Sequence, residues 1–334
     1  MTDLSGRLDA STRTIAGLTR APAVVLAAVV DGETAVACHG DPVPDAHTVF
    51  ELGSITKTFT ALLLAEMVTR GEVDYDDPIT AYLPPEARVT DLPITLAQLA
   101  THTAGFPRLP ANLYLRALPV WTTNPYARYR LDDLYRATAR VRPHPRVHAH
   151  YSNFGVGLLG QLLANAAAAE YRDLVLDRVC RPLGMTGTRT GPGPLCATGH
   201  RRGRPVPAWE MGALAPAGTL RSSATDLLRY LHAHLHPEAT PLAAALRATQ
   251  VPRVAGKGKD RICLVWNHRS SRHGDVLFHS GGTRGFTAFV GFCPQVGTGV
   301  AALANATPAR RRTLIPTAYS LFKTLVREHR TAAG

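Results

Sequence analysis

The sequence predicts an α+β fold: a sheet unit assembled from both chain ends, with a mostly helical region inserted between its two parts. Three observations carry this reading. A hairpin pattern opens the ordered chain, helical patterns broken by Pro and Gly fill the middle, and strand patterns return only after about residue 260. The expected division is residues 1–57 plus 258–334 for the sheet unit and 58–257 for the helical one, with the site between them.

Ala23 to Val30 (AVVLAAVV) is a short apolar run, Asp31-Gly32 is a turn dipeptide, and ETAVACHG from Glu33 alternates, so the three read as a β-hairpin. Residues 58–70 place Phe59, Leu62, Leu63, Leu64, Met67 and Val68 at helical spacing, and the helix stops at Gly71. A long connection runs from Leu83 to Asp132. Leu158–Ala169 is an Ala/Leu helix, and Ser223 starts another as N-cap, with Asp226 placed as in a capping box. Strands are expected at Ile262–Asn267, Val276–Ser280, Thr287–Phe292 and Gly299–Asn305, and an amphipathic helix at Thr313–Glu328 closes the chain. No repeat or low-complexity segment interrupts this order.

Composition narrows the function. The chain has 334 residues, 45% of them hydrophobic and 19% charged, the profile of a soluble globular protein with a sizeable core. The first twenty residues lack the apolar core of a signal peptide, and no stretch reaches membrane-span length, so a cytoplasmic protein without membrane association is expected. Cys38, Cys180, Cys196, Cys263 and Cys293 form no C-x-x-C pair, which points to neither a disulfide framework nor a metal site. The net charge of +12 is spread over dispersed arginines, the densest cluster being Arg310–Arg312; a nucleic-acid partner is not expected, and a general attraction for anionic small molecules is.

Three stretches carry chemistry. Ser54 and Lys57 stand at i and i+3, on one face of a helix start, where an amine can reach a hydroxyl. Only four lysines occur, Lys57, Lys257, Lys259 and Lys323, and lysine can act as a base where arginine stays protonated. In His150-Tyr151-Ser152-Asn153, a tyrosine whose phenol is acidified by a neighbouring lysine can shuttle a proton, and Asn153 can bind a substrate amide or carbonyl. In Phe278-His279-Ser280-Gly281-Gly282-Thr283, a strand ends in small residues against which substrate can lie; the N–H groups of Ser54 and Gly282 would form an oxyanion hole, and His279 would stabilise charge or bind a carboxylate. Taken singly, these stretches also read as a helix cap, a loop tripeptide and a Gly-rich turn.

Their order, S-x-x-K then Y-x-N then His-x-Gly, resembles the serine β-lactamase and penicillin-binding-protein superfamily, specifically its class C-like branch with the family VIII esterase-like hydrolases. The resemblance covers about residues 20–325 and extends to Leu99–Phe106 (LATHTAGF), Pro182–Met185 with Thr188, Ala215–Gly218 before Ser223–Asp226, and His279–Gly282 before Gly285-Phe286. It implies a β-lactamase/transpeptidase-like fold with an antiparallel sheet flanked by helices. It further implies Ser54 as the nucleophile forming an acyl-enzyme, Lys57 as its activating partner, Tyr151 as general base and acid, Ser54 and Gly282 as oxyanion hole, and Asn153, His279, Ser280 and Gly281 as substrate contacts. His102 is expected to be structural.

His279 stands where β-lactamases and transpeptidases of the superfamily usually have lysine, which turns the expectation toward the esterase-like, aminopeptidase-like and acyltransferase-like branches; as an imidazolium it would still bind anions. The expected activity is a serine hydrolase acting on an ester, amide or peptide of a small metabolite, without cofactor or metal. Acyl transfer to an alcohol or amine is the alternative, and a binding or sensor protein without turnover a further one. Phe106, Tyr114, Trp121 and Tyr126 are the expected aromatic pocket for an acyl chain. The oligomeric state is open.

Overall fold

The computed structural model describes residues 3–87, 94–117, 124–142, 146, 148–307 and 314–332. In chain order, α1 (Leu4–Thr19) leads into the hairpin β1 (Ala23–Val30) and β2 (Glu33–Gly40), then β3 (Phe50–Glu51), a 3₁₀ turn at Gly53–Ile55 and α2 (Thr56–Thr69). The helical stretch continues through α3 (Leu96–Ala100), α4 (Ala111–Ala117), α5 (Leu131–Arg140), α6 (Asn153–Ala166) and α7 (Tyr171–Val175). Short strands β4 (Gly199–Arg201), β5 (Arg204–Val206) and β6 (Arg221–Ser222) precede α8 (Ala224–Leu235) and α9 (Ala243–Gln250). The chain ends with β7 (Val254–Ala255), β8 (Arg261–Ile262), β9 (Asn267–Arg269), β10 (Val276–Gly282), β11 (Thr287–Cys293), β12 (Thr298–Ala304) and α10 (Leu314–Ala332).

Eight strands form one antiparallel sheet in the order β2-β1-β12-β11-β10-β9-β8-β7. Early and late strands meet where β1 pairs with β12, Val25 opposite Leu303 and Ala27 opposite Ala301. Both faces are covered. Val25, Ala27 and Val29 join the core shared with the central helices, whereas Val24, Leu26 and Ala28 join a second core under α1 and α10. A strand buried on both sides reads as a continuous apolar run, which is why residues 23–30 show no alternation.

Helix α2 passes through the centre of the larger core, and Thr56 to Met67 are buried all the way round, Lys57 included. No described helix is long and apolar enough to cross a membrane.

Four expectations change. The first twenty residues contain α1, whose Leu4, Leu8, Thr12, Ile15 and Ala16 face the sheet and whose N-cap Asp3 accepts from the Ser5 and Gly6 amides. The expected strand at 262–267 is two short strands joined by a tight turn in which Val265 has φ of 68° and Cys263 donates to Trp266 O; Cys263, Leu264, Val265 and Trp266 are apolar because they plug the helical core. The connection from Leu83 to Asp132 is interrupted by α3 and α4. Ser223 does cap α8, its Oγ accepting from Asp226 N at 3.2 Å, but the Asp226 carboxylate reaches away to Gly187 N, Thr188 Oγ1 and Arg229 and does not close a capping box.

Because α1 docks through a few apolar side chains, Leu8→Ala should lower unfolding stability by about 2–5 kcal/mol, while Asp9→Ala on the exposed face should change it by less than about 0.5 kcal/mol; chemical denaturation of the two variants checks this.

Candidate active site

The site forms where the 3₁₀ turn ahead of α2 meets the end of β10. Gly53 adopts φ of +51°, and a Cβ there would lie 2.7 Å from Gly282 N, so the turn needs glycine both for its left-handed backbone and for the contact. Gly281 is tighter still: a Cβ would fall 1.8 Å from Leu52 O and 3.1 Å from Ser54 N. The Ser54 and Gly282 amides therefore belong to backbones in direct contact. Strand β9 pairs with β10 only as far as Phe278, leaving His279–Gly282 with an edge on which an extended substrate can lie.

Ser54 Oγ is the centre of a short polar chain. Tyr151 Oη donates to it at 2.6 Å, and Lys57 Nζ lies 3.0 Å away. Lys57 Nζ also donates to Ala217 O at 2.6 Å, a carbonyl presented by the Gly212–Ala217 3₁₀ segment, which is held to α2 by Thr60 Oγ1 donating to Pro216 O. Burial in the core, with the Arg108 guanidinium nearby, pushes the Lys57 ammonium well below its ordinary 10.5. Tyr151 moves the other way. Burial raises its phenol to about 12, outweighing the Ser54 hydrogen bond and Arg108, so the acidified phenol expected from a neighbouring lysine is not what this pocket produces.

Tyr151 is placed by the start of α6. Ser152 caps the helix, accepting from Gly155 N at 2.9 Å and donating to Pro107 O at 2.6 Å, while the Asn153 and Phe154 amides donate to Arg108 O. His102, at φ of 61°, lays its ring 4.8 Å from that of Tyr151, and its Nδ1 accepts from Ser152 N at 3.3 Å. Its imidazole is pushed to about 3 by burial and by Lys57.

The turn, the strand end and the α6 start enclose a cavity of about 550 Å³, lined by Ser54, Tyr151, His279, Ser280, Gly281 and Gly282 together with Arg108 and Lys257 at its rim. His279 is buried, and burial plus Lys57 push it to about 3, so it is a neutral imidazole at physiological pH; the imidazolium considered for anion binding does not form. Asn153 is buried at the first turn of α6, behind the residues that line the cavity, with Oδ1 lacking a hydrogen-bond partner. The aromatic pocket is not assembled as expected. Phe106 packs edge-on against Phe154 of α6, Tyr126 packs edge-on against Trp209 and hydrogen-bonds Asn153, and Tyr114 is half exposed; none of the three is among the residues lining the cavity. Trp121 lies outside the described residues.

Sequence reasoning stopped short of Arg108, two residues past the 99–106 stretch, and of Lys257. It also passed over Glu51, three residues before Ser54. Among the described residues no group of acidic, His and Cys side chains is arranged to hold a metal ion.

The fold and this arrangement belong to one class of proteins, the serine β-lactamase and penicillin-binding-protein superfamily. The beta-lactamase family profile matches residues 11–321, and the chain belongs to that family. It is similar to the D-alanyl-D-alanine-carboxypeptidase/endopeptidase AmpH of Escherichia coli K12, 30% identical over 294 residues, 80% of this chain and 74% of the relative. It is 26% identical over 308 residues to a beta-lactamase of Yersinia enterocolitica, covering 80% of this chain and 76% of that one. In structure it resembles the class C beta-lactamase of Rhodobacter sphaeroides, with a TM-score of 0.82 at 22% identity, over 97% of this chain and 99% of the other.

The close backbone approach at Gly281 predicts that Gly281→Ala separates the turn from the strand, lowering thermal stability and removing turnover together; an alanine variant with wild-type melting temperature and rate would contradict the contact.

Proposed function

We propose that this chain is a serine hydrolase that opens a small ester, amide or peptide through an acyl-enzyme on Ser54. The observation that carries the reading is the hydrogen-bond chain from Tyr151 through Ser54 to Lys57 and Ala217 O. With the amine neutral and the phenol protonated, the phenol donates to Ser54 Oγ, the Ser54 hydroxyl donates to the Lys57 lone pair, and the amine donates to Ala217 O. Lys57 is then the base that takes the serine proton as Oγ attacks the carbonyl, and the Ser54 and Gly282 amides receive the developing oxyanion. Tyr151 hands its proton to the leaving group and is reprotonated from Lys57, so the pair ends as it began. In the second half Lys57 takes a proton from a water whose oxygen attacks the acyl carbon, and Ser54 Oγ leaves and recovers that proton from Lys57, restoring the starting state.

The substrate is expected to carry an anionic group. Arg108 places its guanidinium carbon 5.7 Å from the centroid of the Tyr151 ring, Lys257 lies on the rim of the same cavity, and among the described lining residues there is no Asp or Glu. Recognition of charge thus shifts from the β10 position, where His279 is neutral, to the rim. Asn153 and the β10 edge at Ser280 and Gly281 are assigned to the substrate amide or carbonyl.

Intact-protein mass after brief exposure to p-nitrophenyl acetate should show a single acyl adduct that Ser54→Ala lacks, with continued p-nitrophenol release; no adduct together with no release would overturn the reading, and product carrying an added alcohol in place of water would reassign it to acyl transfer. Lys57→Arg should be nearly inactive, and Tyr151→Phe should lose about 10²-fold in kcat. The rate should rise with pH as Lys57 deprotonates, at a pH below its ordinary 10.5, and should not decline again before Tyr151 titrates near 12. His102 and His279, both near 3, contribute no limb around neutrality.

A further inference from the structure

We propose that Glu51, which takes no part in proton transfer, is a positioning residue that sets the geometry of the oxyanion hole through Thr283. This rests on the oxyanion role proposed above for Ser54 and Gly282. Glu51 ends β3, and only Leu52 and Gly53 separate it from the nucleophile; Thr283 directly follows Gly282. The two are joined by a buried hydrogen bond in which Thr283 Oγ1 donates to Glu51 Oε2 at 2.7 Å. One carboxylate therefore ties the segment bearing Ser54 to the segment bearing Gly282.

Both ends of that tie are fixed from behind. Glu51 Oε1 accepts from Trp209 N at 2.7 Å and from Arg221 Nη2 at 3.3 Å, and Arg221, 2% exposed, is itself held by donating to Thr190 O and Trp209 O. Thr283 Oγ1 accepts from Gly285 N at 3.2 Å and Phe286 N at 3.1 Å, which closes the turn after β10, and the Phe286 ring packs edge-on against Phe50, the residue before Glu51. A buried Glu–Arg pair is weak evidence for stability, since removing both charges from water costs about as much as their attraction returns. Its position explains it better: it gives the Ser54 turn and the β10 end one shared, rigid anchor, with Thr283 at the cavity wall and Glu51 behind it.

An oxyanion donor stabilises the transition state only if it sits about 2.7–3.1 Å from the developing charge, and deleting one costs about 10²–10³ in kcat. Loosening the anchor displaces a donor without deleting it, so the expected loss is smaller, about tenfold. Glu51→Ala would leave Arg221 buried without its carboxylate and is expected to unfold the chain, so Thr283 is the position to change. Thr283→Val keeps the shape and removes the hydroxyl; Thr283→Ser keeps the hydroxyl.

The experiment is steady-state hydrolysis of a p-nitrophenyl ester per active site, counted by burst titration, together with inhibition by phenylboronic acid. Ser54 Oγ adds to boron as its proton passes to Lys57, giving a tetrahedral anion that uses the oxyanion hole. Thr283→Val should lower kcat about tenfold with KM nearly unchanged and weaken the boronic acid by the same factor, and Thr283→Ser should restore both. Unchanged kcat in Thr283→Val, lower kcat with unchanged boronic acid affinity, or no restoration by serine would each overturn the proposal. Full turnover by Ser54→Ala would instead overturn the acyl-enzyme reading beneath it.

Discussion

The structure is organised around the burial of one amine. Lys57 is fully enclosed on a helix that is buried on every side, and its described hydrogen-bond partners are a hydroxyl and a carbonyl, not a carboxylate. A charged ammonium in that setting is strongly disfavoured, whereas a neutral amine keeps a lone pair and N–H donors. Everything near it is consistent with a neutral state. Arg108 adds positive charge from the rim, Tyr151 keeps its proton, and both neighbouring histidines are driven to their uncharged forms. Ser54 Oγ lies within hydrogen-bond reach of that nitrogen, at 3.0 Å.

That amine would be inert without backbone precision on the opposite side. The Ser54 turn and the β10 end approach so closely that only glycine is accommodated at 53 and 281, and β10 is itself held in register with β11 through Gly282 opposite Thr287. The sheet therefore positions one half of the site and α2 the other. Because β1 pairs with β12, the early and late parts of the chain cannot separate without breaking the sheet, so the two halves of the site are fixed by the same interaction that makes the core continuous.

The sequence disclosed the parts whose local pattern and final environment agree. The hairpin appears at 23–30 and 33–40 as expected, and β10, β11 and β12 fall within two residues of their expected bounds. Ser54, Lys57 and Tyr151 were legible because residue type and spacing encode them, and the fold places them together. What escaped was set by tertiary context. The 263–266 stretch is apolar because it plugs a core, and periodicity cannot distinguish that from a strand. Helix α1 hides behind its polar face. Phe106 and Tyr126 pack against Phe154 and Trp209, and the displacement of the Lys57, Tyr151 and His279 equilibria depends on burial that no motif records. Glu51 and Arg108 sit beside recognisable stretches, but their roles depend on partners as distant in sequence as Thr283 and Tyr151.

The central claim, a neutral Lys57 poised as base, is open to direct observation because the chain has only four lysines. The decisive measurement is an NMR titration of protein carrying ¹³C-labelled lysine, with the Lys57 signal assigned by its loss in Lys57→Arg. The account predicts that this one resonance titrates well below 10.5; a Lys57 signal that stays protonated up to that pH would contradict it.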